Sequence, residues 1–232
     1  MGRYRSSIPK AATEVVVAWY RKTRQKLRSN FLLSGELVGY RMFDRDGELD
    51  REVPLRNGVT HGVMYTWSDP GILRSAQPFY NGKPHGVAKQ YGRNGDLIGT
   101  WRMSDGTGLD LWRQESYEGD QPPFLTEARY LRDGKWHGFE WWFLGANGRL
   151  STERHFHEDL QHGIEREWNH HGRIKRGYPR YWIHGKQVDK RQYLRAVAKD
   201  PSLPPFAGRD NEPYRGFPPE VSEHLPPSPK RK

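Results

Sequence analysis

Tyr80-Asn81-Gly82-Lys83-Pro84-His85-Gly86 decides how this chain is read. Asn-Gly is a strong short-range signal for a two-residue reversal, because both central positions of a tight hairpin turn need positive φ. The pattern returns at Asn57-Gly58-Val59-Thr60-His61-Gly62 and at Asp133-Gly134-Lys135-Trp136-His137-Gly138. Ser34-Gly35 with Gly39 opens the series, and weaker copies end at Gly108, at His162-Gly163 and at Asp189. The closing positions are 23, 24, 22, 30, 25 and 26 residues apart. A period in this range predicts an array of one small supersecondary unit, repeated along the chain.

Working outward, a second turn falls eight to ten residues after each first one, at Asp46-Gly47, Pro70-Gly71, Asn94-Gly95, Asn147-Gly148 and His171-Gly172. An aromatic lies between the two turns: Phe43, Trp67, Tyr91, Trp112, Phe143 or Trp168. Runs such as Glu140-Trp141-Trp142-Phe143 are short and ring-rich, which suits strands. The expected fold is all-β: an array of antiparallel β-hairpin repeats forming an elongated, twisted single-layer sheet with short flanking helices. The fourth repeat is stretched by Tyr117 to Phe124 and predicts a protruding loop.

Four segments follow. Residues 1–30 form a basic N-terminal segment, read as a helix over 10–29 although Val15 to Tyr20 also suits a strand. Residues 31–189 hold the hairpin repeats. Asp189 N-caps a helix within 190–200 that covers the last sheet edge, with Tyr193, Leu194 and Val197 facing inward. Residues 201–232 are rich in proline and read as a disordered tail.

The net charge of +10 is unevenly placed. Residues 1–30 carry eight Lys/Arg against one acid, whereas the repeats are close to neutral. Any generic attraction to phosphate therefore belongs to the ends, above all to Arg21-Lys22-Thr23-Arg24-Gln25-Lys26-Leu27-Arg28 and Lys230-Arg231-Lys232. Mean hydropathy is -0.99, yet nine Trp, twelve Tyr and nine Phe supply enough buried area for a thin fold. There is no cysteine, which excludes disulfides and thiol chemistry. No run reaches the length of a membrane span, and the expected location is cytoplasmic.

The units resemble MORN-type repeats in the variant form of bacterial YwqK-type proteins. The likeness rests on Tyr80 to Gly86 with Tyr91 and Gly95-Asp96-Leu97, and on Tyr130 to Gly138 with Phe143 and Gly148-Arg149-Leu150. It covers about 35–189. Thr107 and Val188 stand where the pattern has His, and Asp159 where it has Gly. Proteins of that type are commonly labelled antitoxin or immunity components, so the resemblance implies a sheet that binds another macromolecule.

Catalytic patterns are sparse. No Gly-x-Ser-x-Gly, cysteine nucleophile or phosphate loop is present, so neither an enzyme, a cofactor nor a small-molecule substrate is expected. His61, His85, His137 and His162 recur at one repeat position. Together with Gly58, Gly62, Gly82, Gly86, Gly134, Gly138 and Gly163 they are read as structural turn residues, each imidazole bonding backbone and packing on a ring. In register they would form a ladder that could hold an anion at low pH. His155 and His157 share one strand face but lack a third metal ligand. The expected partner is another protein, by resemblance a toxin or effector, bound through Trp112, Phe124 and Trp142. The alternatives are an anionic surface, membrane or nucleic acid, bound through residues 21–28, and self-association through a free strand edge.

Overall fold

The computed structural model describes residues 4–68, 71–116 and 121–226. Pro70, the insertion Tyr117-Glu118-Gly119-Asp120 and Lys230-Arg231-Lys232 lie outside the described residues. The chain divides into two units, Met1–Gly106 and Thr107–Lys232. Both are antiparallel β meanders.

In the first unit β1 (Thr13–Trp19), β2 (Lys26–Leu33), β3 (Glu36–Phe43) and β4 (Leu49–Arg56) pair in sequence. The two-residue β5 (Val59–Thr60) prolongs the turn, and β4 then pairs with β6 (Gly62–Ser68). The same device follows with β7 (Ile72–Tyr80), β8 (Lys83–Pro84), β9 (Gly86–Tyr91) and β10 (Leu97–Ser104). The second unit runs β11 (Thr107–Gln114), β12 (Phe124–Arg132), β13 (Lys135–Leu144), β14 (Arg149–His157), β15 (Leu160–Gln161), β16 (Gly163–Glu167), β17 (Arg180–Ile183) and β18 (Lys186–Val188). The helices α1 (Lys190–Val197) and α2 (Pro219–Ser222) follow.

The reversals are local chemistry. At Asn81-Gly82 both residues have positive φ, 47° and 83°, the left-handed pair that matches the strand twist. At the second-turn position of the last repeat, Asn169 Oδ1 accepts the amides of His171 and Arg173, and Gly172 N–H donates to Asn169 O. Asp44 does the same for Asp46 and Glu48. A short polar side chain thus satisfies turn amides that no strand can reach.

The histidine column joins successive repeats. Nδ1 of His61, His85 and His162 accepts the amide N–H of the first turn residue one repeat on, at Asn81 (3.4 Å), Asp105 (3.1 Å) and His184 (3.0 Å). Where the column has Thr107, its Oγ1 takes the amide of Asp133 at 3.2 Å. The next turn amide donates to the carbonyl before the column: Gly82 to Thr60, Gly106 to Pro84, Gly185 to Gln161. His137 departs from the expected pattern: its Nδ1 meets no hydrogen-bond partner among the described residues, its Nε2 faces Arg132 at 3.3 Å, and only the carbonyl before it, Trp136 O, accepts from the next turn at Asp159 N–H. Where His61, His85, Thr107 and His162 stand, the repeat carries acceptors for the following hairpin, which couples neighbours.

Three expectations need correction. Residues 13–19 and 26–33 are strands rather than a helix. The β-branched run Val15-Val16-Val17 favours the extended state, and Tyr20 to Gln25 closes a turn with Arg24 at φ 57°. Ahead of them, residues 4–8 lie across the sheet: Tyr4 and Ser6 reach Glu52, Ser7 Oγ accepts from Val63 N–H, and Ile8 is buried beside Gly39. At the far end α1 forms with a reciprocal Asp189–Gln192 capping box, and Tyr193 is fully buried. Leu194, however, is exposed, because the inward stripe at helical spacing is Tyr193, Ala196 and Val197.

The tail is the third correction. Instead of being disordered, residues 200–226 pack on the second unit. Leu203 and Val221 are buried. Phe217 meets Trp141 and Phe143 edge-on, and Asn211 O accepts from Trp168 Nε1. Proline-rich chain suits this role, since it lies extended with few amides to satisfy.

Candidate binding surface

Strand register sorts the second unit's side chains onto two faces. Ala128, Trp141, Glu153 and Arg166 are successive cross-strand partners, and this face carries the C-terminal segment. The opposite face holds a row of alternating charge. Asp110 pairs with Arg129, Arg129 with Glu140, Glu140 with Arg154, and Glu165 with Arg180. Arg154 Nε lies 3.4 Å from Glu165, which joins the two halves of the row. Arg129 and Arg154 each lie 3.6 Å from Glu140, and Arg129 also contacts Glu127. Trp182 Nε1 donates to Glu165 at 3.0 Å.

The carboxylates sit low and the guanidinium groups stand higher. Glu140 and Glu165 are buried, while the Arg154 side chain is 38% exposed. Burial pushes the Asp110 and Glu127 carboxyls above their ordinary range, offset only in part by Trp112 and then Arg129 at Asp110 and by Arg129 at Glu127. Arg129 and Arg154 are thus each held between two acids, which limits their freedom.

The neighbouring row is aromatic. Trp112, Glu127, Trp142 and Thr152 are successive cross-strand partners, so Trp112 and Trp142 share this face two strands apart, about 10 Å. Trp142 is 39% exposed, whereas Trp141 is buried and donates to Glu153. Trp112 is half-buried. Phe124 is half-buried at the start of β12, opposite Gln114, and stands apart from this pair. The arginine row escaped the sequence reading, although a signal existed: Arg129 and Arg154, like Glu140 and Glu165, stand one repeat apart.

The histidines divide by setting. His61 and His85 lie beside Tyr80 in the first unit. In the second, His137, His157, His162 and His184 form a run of ring contacts. His162, His184 and Asp200 bring three possible metal-ligating atoms within 4.8 Å of one another. The hydrogen bonding works against a cation there. His162 Nδ1 accepts from His184 N–H, so the neutral ring carries its proton on Nε2, facing Ser202 Oγ at 3.0 Å and Asp200 Oδ2 at 3.5 Å. That nitrogen has no lone pair to offer, and two remaining donors are too few. Burial, then the neighbouring His184, lowers the His162 pKa, with Asp200 pulling the other way.

The basic run 21–28 does not form one patch. Lys26 pairs with Glu14 at 2.9 Å and Arg28 covers the Tyr40 ring, which leaves Arg21, Lys22 and Arg24 exposed in a turn. Within the first unit β1 pairs by register with β2, and a bulge at Val17 breaks its regularity, a feature that blunts strand edges. Among the described residues no helix is long and apolar enough to cross a membrane. No protein-family profile matches the chain, and no curated protein is significantly similar to it.

Proposed function

We propose that this chain is a non-enzymatic hairpin-repeat module, bacterial and cytoplasmic, that binds a partner protein through the open face of its second unit. The resemblance to MORN-variant, YwqK-type proteins supports a toxin or effector as that partner, neutralised sterically. One observation carries the reading: the exposed Trp142 stands beside Arg154 and Arg129, which Glu140 holds in place. Tryptophan and arginine dominate the energetics of protein interfaces, and rigid placement on strands keeps the cost of ordering low.

The test compares tagged full-length protein with Trp142→Ala and Arg154→Glu in captures from the native host. A specific partner retained by the parent and lost by both variants, at unchanged melting temperature, supports the reading. Equal capture by all three proteins rules this face out. The anionic-surface reading rests on Arg21, Lys22 and Arg24. Removing residues 1–30 would take β1 and part of β2 with it, so the suitable variant replaces those three residues by Gln. Salt-sensitive binding to anionic vesicles or DNA that disappears in it would favour that reading.

A further inference from the structure

A second site lies on the covered face of the same unit and does not depend on the reading above. A cavity of about 430 Å³ opens between β11, β12, β13 and the C-terminal helix α2. Tyr130, Phe139 and Trp141 line it together with Leu109 and Val221. The volume is that of an ordinary small-ligand pocket. Glycines 108 and 138 keep side chains out of its floor. Glu220, on the exposed side of α2, is the single charged residue in its wall, and among the described residues it has no ion-pair partner.

We propose that this cavity binds a quaternary ammonium group. Three aromatic walls and one carboxylate at the rim are the components that attract an organic cation, through the ring quadrupoles and direct charge. Guanidinium and primary ammonium bring five and three N–H donors, yet Tyr130 and Glu220 supply the only side-chain acceptors in the wall. Unmet donors are costly in such a site. A methylated ammonium has none, and its apolar methyl groups suit the rings. The cation could belong to a free small molecule or to a methylated lysine on a protein.

The experiment titrates full-length protein with choline and with 3,3-dimethyl-1-butanol, the neutral carbon isostere. It is read by calorimetry and by amide NMR shifts at Val221 and Tyr130. Choline is expected to bind saturably, with the isostere about tenfold weaker. Glu220→Gln, an exposed change that leaves the fold intact, should weaken choline about tenfold and leave the isostere unchanged. Leu109→Trp should fill the cavity and abolish both. A trimethyllysine hexapeptide binding about tenfold tighter than choline assigns the site to a protein side chain, and equal affinity assigns it to a free cation. Equal binding of choline and its isostere, or no shift from choline at 50 mM (about 500-fold above a tight 0.1 mM site), overturns the proposal.

Discussion

His155 makes stability depend on pH in a direction and amount that can be worked out. The ring is buried on β14, where its Nδ1 contacts the carbonyl of His162 and its Cβ packs against Gly163. Desolvation lowers its pKa from 6.5 to about 4, with the His162 carbonyl pulling the other way and the neighbouring His162, His137 and His157 adding to the fall. The unfolded chain therefore takes up this proton first. The stabilisation is complete above pH 6.5, declines as pH falls, and is gone below about 4. A gap of about 2.5 in pKa corresponds to about 3 kcal/mol in all, of which about 2 kcal/mol is lost by pH 5. Asp110 and Glu127 act oppositely, since burial raises them and protonation then favours the folded state. The parent's pH profile alone is therefore mixed. His155→Gln keeps a donor for the His162 carbonyl but does not titrate. Urea unfolding of both proteins at pH 7 and pH 5 isolates the effect: the parent should lose about 2 kcal/mol more than the variant. NMR titration of the ring should place its midpoint near 4. Equal losses in both proteins, or a midpoint near 6.5, would refute the burial argument.

Three further changes test the packing. Gly39→Ala would place a Cβ 2.6 Å from Ile8 Cγ1 and 2.9 Å from Val53 O; it should cost about 1–3 kcal/mol and loosen residues 4–8, seen as faster amide exchange at Val63. Thr107→Val removes the acceptor for the Asp133 amide and should cost about 1 kcal/mol by urea unfolding, while Thr107→Ser should cost nothing measurable. Val221→Ala deletes two fully buried methyl groups and should cost about 2 kcal/mol by thermal melting; an unchanged melting temperature would show that α2 is not docked.

The turns were legible because their chemistry is local. Asn81-Gly82 needs two positive φ values, and few residue pairs tolerate them, so the dipeptide alone places the reversal. The N-terminal strands were not legible on the same terms. Val15-Val16-Val17 fits a strand, and the basic residues around it fit a helix face, so the long-range pairing with 26–33 decides. The tail was hidden by composition: among its prolines a few residues, Leu203, Phe217 and Val221, do the packing, too far apart to show a period. The charged row required register. Bulges between Trp112 and Arg113 and between Trp142 and Phe143 reset the alternation of faces, so counting along one strand misplaces its neighbours.

The same repeat position explains why both chain ends are structural. Five residues after the second-turn glycine stand Glu52, Ala76, Thr100, Glu153 and Gly177. The two glutamates are wholly buried, which is costly for a carboxylate without matched donors. Glu52 receives Tyr4 and Ser6 from the N-terminal segment and Arg41 from the adjacent strand. Glu153 receives Trp141 and Arg166 from adjacent strands and Arg215 from the C-terminal segment. The two copies between them, Ala76 and Thr100, carry no charge. An acid therefore occurs at this position where a terminal segment supplies its donors. The hairpins set the register of the sheet, and each terminal segment closes one face of its own unit by adding donors to a buried carboxylate that a strand arginine already pairs: hydroxyls at Glu52, a second guanidinium at Glu153. In the second unit the terminal segment packs on the Trp141 face, and the row of arginines and Trp142 lies on the opposite one.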